Sequence, residues 1–230
     1  MTPELESGLW PRFKDGARRL RHGAITRTTT LRNRLSYGEG APRGDDVIHV
    51  DPRSVTFHYC ERPDEGAPVL PRPVSCGRVL DGDWDRSVRR VTRTSKYKAC
   101  RAHFVDGVPW EETGIYDRIM AHIERNGFWD QCRSREDVVA RYAALDGLYE
   151  VTRLAGRLPP VTQLRAGDMG SQGHIFGHMA RDGSILRCRE GNHRFAIAHI
   201  LGLPSVPIRL GAVHVDAARA GLVAPLRTRP

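Results

Sequence analysis

The C-terminal third of the chain contains a strand–turn–helix–strand pattern that restricts the fold more than any other segment. His174–Met179 and Ser184–Arg189 have the composition of two strands joined by a tight turn. Glu190–Asn192 leads directly into HRFAIAHIL, which has helical composition and ends before Gly202. VPIRL predicts a further strand. This order predicts the α/β (α+β) class, with a small mixed sheet.

The turn before this helix has the chemistry of an anion site. Gly191 would let backbone N–H groups point into a concavity, and the helix N-terminus adds partial positive charge. Asn192, His193 and Arg194 follow on the first turn, where His193 offers a switchable donor and Arg194 a charged one. We expect these four residues to bind phosphate groups. The alternative is a plain capped helix with an incidental histidine, and Glu190 is a proton acceptor or a simple loop residue.

The remaining sequence predicts three parts. Residues 1–46 form a basic accessory segment, in which a short helix runs from Pro11 through Leu20. Residues 47–212 form the domain, with strands in VIHV, SVTFHY and GRVL. Residues 213–230 are expected to be a C-terminal tail.

A helical insert is expected within the domain at about 86–156. Arg86 to about His103 fits one helix, and WEETGIYDRIMAHIERNG fits a second, with a stripe of Ile115, Ile119 and Ile123. A third helix begins at SRED, which resembles a capping box, and continues to Leu154. Its apolar stripe is Val138, Tyr142, Leu145, Leu148 and Tyr149.

The acidic motif DGDWD precedes the insert. Asp83 and Asp85 are two positions apart, so in an extended segment their carboxylates share a face and suit Mg²⁺ binding or proton transfer from a hydroxyl. The alternative is a turn with solvated acids. Trp84 is expected to be a packing anchor.

The formal net charge of +9 is unevenly distributed. Residues 86–103 contain seven basic residues and no acid, and acidic segments flank them on both sides. Within this block Arg89, Arg90 and Arg93 could clamp a phosphate, and Arg90 is taken as a nucleotide contact; the alternative is a solvated helix face. The flanking acids argue against a continuous nucleic-acid-binding face.

Cysteine and histidine spacing gives no metal or disulfide pattern. The five cysteines are an odd number without CxxC spacing, which indicates reduced thiols. His174 and His178 share a strand face, but without a carboxylate or cysteine at a recognised spacing we expect no zinc site with His193. Glu111 and Glu112 are weaker functional candidates, because acids are favoured at a helix start in any case.

We expect a cytoplasmic protein without a membrane segment. The longest apolar run, FAIAHILGL, is interrupted by His199 and falls far short of the ~20 residues that a membrane span needs. Glu4 and Glu6 stand where a signal peptide would carry basic residues.

Ala180–Leu210 resembles the nucleotide-binding unit of the ParB/sulfiredoxin superfamily. The resemblance rests on G-x-H-R at the helix start, the small residues that follow, and the closing L-G and V-P pairs. It extends to about Val47, because GDWD, the segment Gly107–Thr113 and the G-x-H-R unit occur in that order in uncharacterised ParB-like proteins. The matching residues of the nucleotide-binding unit are Gly191, His193, Arg194, Ala196, Ala198, Leu201, Gly202, Val206 and Pro207.

The resemblance implies a nucleotide site but not one reaction, since relatives include sulfiredoxins, free-serine kinases and partitioning proteins that bind CTP and DNA. The sulfiredoxin reaction is disfavoured because Asn192 stands where that enzyme has its cysteine, and Cys188 lies upstream. Partitioning proteins add a helix-turn-helix domain, and only about twenty residues follow Leu210 here.

The function expected from the sequence is a Mg²⁺-dependent phosphotransferase that uses ATP or another nucleotide on a small hydroxylated molecule. Asp83 or Asp85 would bind the metal or orient the hydroxyl, with Glu190 and His193 as further catalytic candidates. The alternatives are a ParB-like nucleic-acid-binding protein, with weak binding, or a nucleotide-gated interaction module without catalysis.

Overall fold

The computed structural model of the chain describes residues 9–70, 75–160 and 174–228, with side chains from residue 23 onward. Within these ranges the protein is a mixed α/β structure, which confirms the expected α/β (α+β) class. The strands form one sheet and are β1 (Val47–Val50), β2 (Phe57–Tyr59), β3 (Val79–Leu80), β4 (Val88–Arg90), β5 (Ile175–Met179), β6 (Ile185–Arg187) and β7 (Val206–His214). The helices are α1 (Leu9–Tyr37), α2 (Ser95–Phe104), α3 (Ile115–Asn126), α4 (Arg135–Ala155), α5 (Asn192–Ile200) and α6 (Val215–Arg219).

The sheet has the order β1-β7-β5-β6-β2-β4, and β3 pairs with the C-terminal end of β7. β5 and β6 form an antiparallel hairpin, while β5 and β7 are parallel and α5 connects β6 to β7. All five residues of β5 are buried, because both faces of the sheet are covered. Ile175 and Met179 pack in one core with Phe195, and on the opposite face Phe176 packs in another core with Trp84.

A separate apolar core holds the helical insert together. Tyr116, Ile119 and Tyr142 are its largest fully buried side chains, and they come from α3 and α4. Ala196 of α5 belongs to the same core, whereas Phe195 faces the sheet. Helix α5 therefore lies between the sheet and the insert, which places its N-terminus where these two layers meet.

The first predicted helix of the insert is shorter than expected. Within Arg86–His103, Val88–Arg90 forms β4 instead, which pairs antiparallel with β2, and the helix begins only at Ser95. The periodicity of a polar, basic segment does not reveal this strand, because the pairing partner lies about thirty residues earlier in the chain.

The other two helices of the insert agree with their sequence patterns. Ile115, Ile119 and Ile123 are buried on α3, although the WEET segment is a separate 3₁₀ turn that ends at Gly114. At the start of α4, Ser134 and Asp137 form the expected reciprocal capping box. The third helix is confirmed.

The N-terminal segment contains a longer helix than predicted. Residues 1–8 lie outside the described residues, and α1 continues past Leu20 to Tyr37. Asn33 is buried, and its Nδ2 donates to the carbonyl oxygens of Pro42 (2.8 Å) and Gly77 (2.6 Å). These two bonds anchor the C-terminal part of α1 to the domain.

The predicted tail boundary at residue 213 is wrong, because it falls inside β7. Ala217 and Ala218 of α6 are buried in the sheet core, and Arg227 donates to the carboxylate of Asp46 at 2.7 Å. Residues 213–228 therefore belong to the domain. In the described part of the chain no helix is long and apolar enough to cross a membrane.

Candidate functional site

The turn at Gly191 fixes the start of α5 against the sheet. Gly191 has φ of 70°, and a Cβ at this position would lie 2.6 Å from the carbonyl oxygen of His174 and from Cα of Ile175. A glycine is therefore required by the close approach of two backbone segments as well as by its dihedral angle. The turn places Asn192 and His193 on the first turn of α5, as the sequence predicts.

A cleft opens at this turn, between α5 and the helical insert. Its inner compartment is a cavity of about 350 Å³ lined by the Gly191 turn, by α4 and by the loop before α4. An outer compartment of about 530 Å³ adjoins it and is lined by β4, the start of α2 and α3. The charged residues of the inner compartment are Lys96, Arg141, Arg189 and Arg194, together with Asp130 and Glu190.

Arg194 is a buried cation in this wall. The residue is only 7% exposed, and one guanidinium nitrogen, Nη2, donates to the carbonyl oxygen of Pro159 at 2.6 Å. Its Nε and Nη1 are buried and have no hydrogen-bond partner in the described residues. Burial lowers the pKa of Arg194 to about 10, so the side chain stays charged at neutral pH. A buried charge with unsatisfied donors is costly unless further acceptors or an anion compensate it.

His193 is buried beside the same cavity. Its Nε2 lies 3.2 Å from the hydroxyl of Tyr142, which is itself fully buried. Burial, reinforced by the nearby charge of Lys96, holds the pKa of His193 well below its usual value. The imidazole is therefore neutral at pH 7. The expectation that His193 supplies a charge that switches near neutrality is wrong.

Asp130 is ion-paired with two of the cations that line the inner compartment. Its carboxylate lies 2.6 Å from Nζ of Lys96 and accepts from Arg141 at 3.2 Å and 3.3 Å. Burial alone would raise the pKa of Asp130, but Lys96 and Arg141 outweigh it and lower that pKa. Asp130 and Gln131 both have positive φ, in a tight turn closed by backbone bonds between Trp129 and Cys132. This turn holds Asp130 at the wall of the inner compartment.

The side chain of Asn192 lines both compartments and also stabilises the turn. Its Oδ1 accepts from the guanidinium of Arg187, and its Nδ2 donates to the carbonyl oxygen of Arg189. Arg187 is only 2% exposed and stacks over the ring of Phe195. The predicted contact between Asn192 and a phosphate stays a prediction.

The structure does not bring Asp83 and Asp85 to the cleft. Both carboxylates accept from Nη2 of Arg181 at 2.7 Å, and Asp85 also accepts from Nε and from the backbone N–H of that residue. Arg181 lies two residues beyond the end of β5, whereas Gly191 packs against Ile175, the first residue of that strand. At about 3.3 Å per residue, these two ends lie about 13 Å apart.

The DGDWD motif is thus an ion-paired clamp on the β5–β6 turn. Burial would raise the pKa of Asp85, but the hydrogen bonds from Arg181 outweigh it and lower that pKa. Trp84 is buried against Tyr59 and His178, which confirms its packing role. Among the described residues there is no group of three or more His, Cys, Asp or Glu side chains that could hold a metal ion.

The arginines of β4 are divided between two faces of the strand. Arg89 lines the outer compartment, whereas Arg90 is exposed and lies over the ring of Phe57, 5.7 Å from its centroid. Arg90, the predicted nucleotide contact, therefore lies outside both compartments. Arg93, Glu111 and Glu112 are also exposed and line neither one.

Cys188 has no features of a reactive thiol. It is buried, its Sγ donates to the carbonyl oxygen of Phe176 at 3.2 Å, and burial raises its pKa. A redox role at this position would need an accessible thiolate.

Three residues of the inner compartment were not predicted as site residues from the sequence. Lys96, Asp130 and Arg141 come from α2, the loop before α4, and α4, so only the tertiary structure brings them together. The basic block around Lys96 was a signal for an anion site, but no motif singled out Asp130 or Arg141.

No protein-family model, curated protein or solved structure matches this chain.

Proposed function

We propose that the inner compartment binds the phosphate groups of a nucleotide. The observation that supports this most directly is Arg194, a charged guanidinium that is buried at the cavity wall with two nitrogens unpaired in the described residues. A phosphate oxygen would accept from those nitrogens and compensate the buried charge. Helix α5 begins at the same wall, and a helix N-terminus favours negative charge.

The charge and size of the compartment support the same ligand. Four cationic side chains line it; Lys96 and Arg141 are paired with Asp130 and Arg189 with Glu61, so Arg194 is the one that forms no ion pair with a described residue. A volume of about 350 Å³ lies within the usual range for small-molecule sites. The apolar side chains of Leu145 and Leu148 line the other wall and would contact an uncharged part of the nucleotide.

The fold of this unit is proposed to be ParB/sulfiredoxin-like. The order of β5, β6, the Gly191 turn, α5 and β7 agrees with the resemblance of Ala180–Leu210 to that superfamily. The five free cysteines agree with the cytoplasmic location that we propose.

The proposed reaction is phosphoryl transfer from the nucleotide to a small hydroxylated molecule. Arg194, Lys96 and Arg189 would neutralise the charge of the transferred group, which is the main requirement of this chemistry. Glu190 lines the inner compartment next to Gly191, so we assign it the role of orienting the acceptor hydroxyl. Asp83 and Asp85 have no part in this proposal.

The described residues do not fit a protein-held magnesium site. Asp83 and Asp85 are engaged by Arg181, and Asp130 is engaged by two cations. We therefore derive no metal-dependent step.

Isothermal titration of ATP, GTP, CTP and UTP, followed by phosphorus NMR with hydroxylated acceptors, tests the proposal. At least one nucleotide should bind, and Glu190→Gln should slow transfer by ~10²-fold while nucleotide affinity changes little. Glu112→Gln, which alters an exposed carboxylate outside the cleft, is the matched control. Failure of every nucleotide to bind overturns the proposal, and binding without transfer to any acceptor overturns its catalytic half.

A further inference from the structure

The outer compartment contains cations that the proposed nucleotide site does not use. Arg89 of β4 and Arg118 of α3 line it from two sides, and neither forms an ion pair with a described residue. Two further cations, Lys96 and Arg189, lie at the border with the inner compartment. The one acidic side chain among the lining residues is Asp130, which faces Lys96 and Arg141.

The N-terminus of α2 opens into the same compartment. Thr94, Ser95 and Lys96 line it, and the N-cap residue Thr94 makes no side-chain cap bond, because its hydroxyl donates to the carbonyl oxygen of Val91. The first turn carries no acidic side chain. Helix geometry leaves the first amides of this ten-residue helix without intrahelical acceptors, so they are available to an anion.

His58 gives an independent indication of a ligand. It lines the outer compartment and is only 8% exposed, and its Nδ1 is buried with no hydrogen-bond partner in the described part of the chain. A buried polar nitrogen without a partner is uncommon, and a small rotation of the His58 ring towards an anion in the compartment would give it one.

We propose that the outer compartment binds an anionic group, a carboxylate or a phosphate, of the acceptor substrate. Arg89 and Arg118 would hold this group, with the α2 amides and His58 completing the site. The inference rests on the proposed function, in which the inner compartment holds the nucleotide. It narrows the acceptor to a small hydroxylated molecule that is itself negatively charged. Lys96 and Arg189 line both compartments, and although they are ion-paired with Asp130 and Glu61, their charges would reduce the repulsion between the two anions.

The side-chain Nε–Hε NMR signal of Arg118, assigned by its loss in Arg118→Gln, reports on this compartment directly. Inorganic phosphate and acetate are titrated separately, with and without ADP. The Arg118 signal should shift until it saturates with at least one of the two anions. The anion that binds more tightly identifies the acceptor's group as a phosphate or a carboxylate. Arg89→Gln should lower the affinity for that anion about tenfold and leave the affinity for ADP unchanged. Arg93→Gln, an exposed arginine that lines neither compartment, should change neither affinity.

Two results would overturn the inference. In one, the Arg118 signal responds to neither anion. In the other, Arg89→Gln lowers the affinity for ADP as much as the affinity for the anion, which would mean that one ligand spans both compartments. Failure of the proposed function gives a distinguishable result. In that case no nucleotide binds, while phosphate or acetate still shifts the Arg118 signal. That shift would support the anion site itself.

Discussion

Two arginines of the α5 region are buried, and they differ in how their charge is compensated. Arg187 donates to the carbonyl oxygen of Cys188 and to Asn192, and it lies over Phe195. Arg194 has one such bond, to Pro159, and its Nε and Nη1 have no partner among the residues that the structure describes. The contacts of Arg187 are those of a residue that stabilises a turn. The burial of Arg194 costs the unliganded protein free energy, and an anion in the cavity would recover that cost.

Asp85 and Asp83 should affect stability rather than activity. Asp85→Asn removes a buried carboxylate that accepts three bonds from Arg181, so the free energy of unfolding should fall by about 1–3 kcal/mol. Asp83 is 66% exposed, and Asp83→Asn should cost less than about 1 kcal/mol. Urea unfolding measures both effects. Nucleotide affinity should equal that of the wild type, and a large loss of affinity in either variant would show that the clamp acts on the cleft.

At the scale of elements, the start of α5 depends on one close backbone contact. Gly191→Ala forces a methyl group into the backbone of β5 and adds strain at positive φ, so we expect a loss of about 3 kcal/mol or more in urea unfolding. Gly202 follows the same helix with φ of 61° and nothing within 4 Å of an added Cβ. Gly202→Ala should cost only about 1–2 kcal/mol. Equal losses in the two variants would contradict the proposed role of the contact.

Elements whose signals are local could be predicted from the sequence. The capping box at Ser134 and the isoleucine stripe of α3 are patterns within one helix, and the Gly191 turn is a pattern within one loop. β4 could not be predicted, because its pairing with β2 is long-range. The role of Asp85 was missed for the same reason: its partner Arg181 lies 96 positions away.

The candidate site was predicted in part. Gly191, His193 and Arg194 line the inner compartment as expected, because a strand–turn–helix unit determines their positions locally. Asp130 and Arg141 join them only through the packing of the insert on α5. The protonation of His193 depends on burial beneath Tyr142, which no local pattern reveals.

For the whole molecule, buried histidines make stability sensitive to acid. Burial lowers the pKa values of His58 and His178 to about 3 and that of His193 well below its usual value. Below the unfolded pKa of about 6.5 the unfolded state binds more protons, so stability falls as pH decreases from about 6.5 towards 3. Each histidine contributes up to about 1.4 kcal/mol per pH unit in this window.

Urea unfolding at pH 7, 6 and 5 measures this slope. His193→Gln should reduce this slope, because one of the buried histidines no longer titrates. Stability that stays constant from pH 7 to pH 5 would contradict the buried, neutral state of these side chains.

The distribution of charge over the molecule predicts weak nucleic-acid binding. The sequence of α1 contains eight basic residues and one acidic residue. The cations of the cleft, by contrast, line two cavities of a few hundred Å³ each. Binding to duplex DNA should be independent of sequence and should fall with salt, with a log–log slope of about −0.9 per phosphate contacted. Fluorescence anisotropy over a salt series measures it. Tight, sequence-selective binding at physiological salt would favour the nucleic-acid-binding alternative.

The most direct test of the proposed anion site is isothermal titration of a nucleotide into Arg194→Met, which keeps an unbranched apolar stem and removes the guanidinium group with its charge. Nucleotide affinity should fall about 10- to 150-fold, the loss of about 1.5–3 kcal/mol that follows removal of a charged hydrogen-bond donor. The free energy of unfolding without ligand should stay the same or rise, because an uncompensated buried charge is gone. Arg90→Met, at an exposed arginine over Phe57, should leave affinity unchanged. Wild-type affinity in Arg194→Met would contradict the anion site on which the proposed function depends.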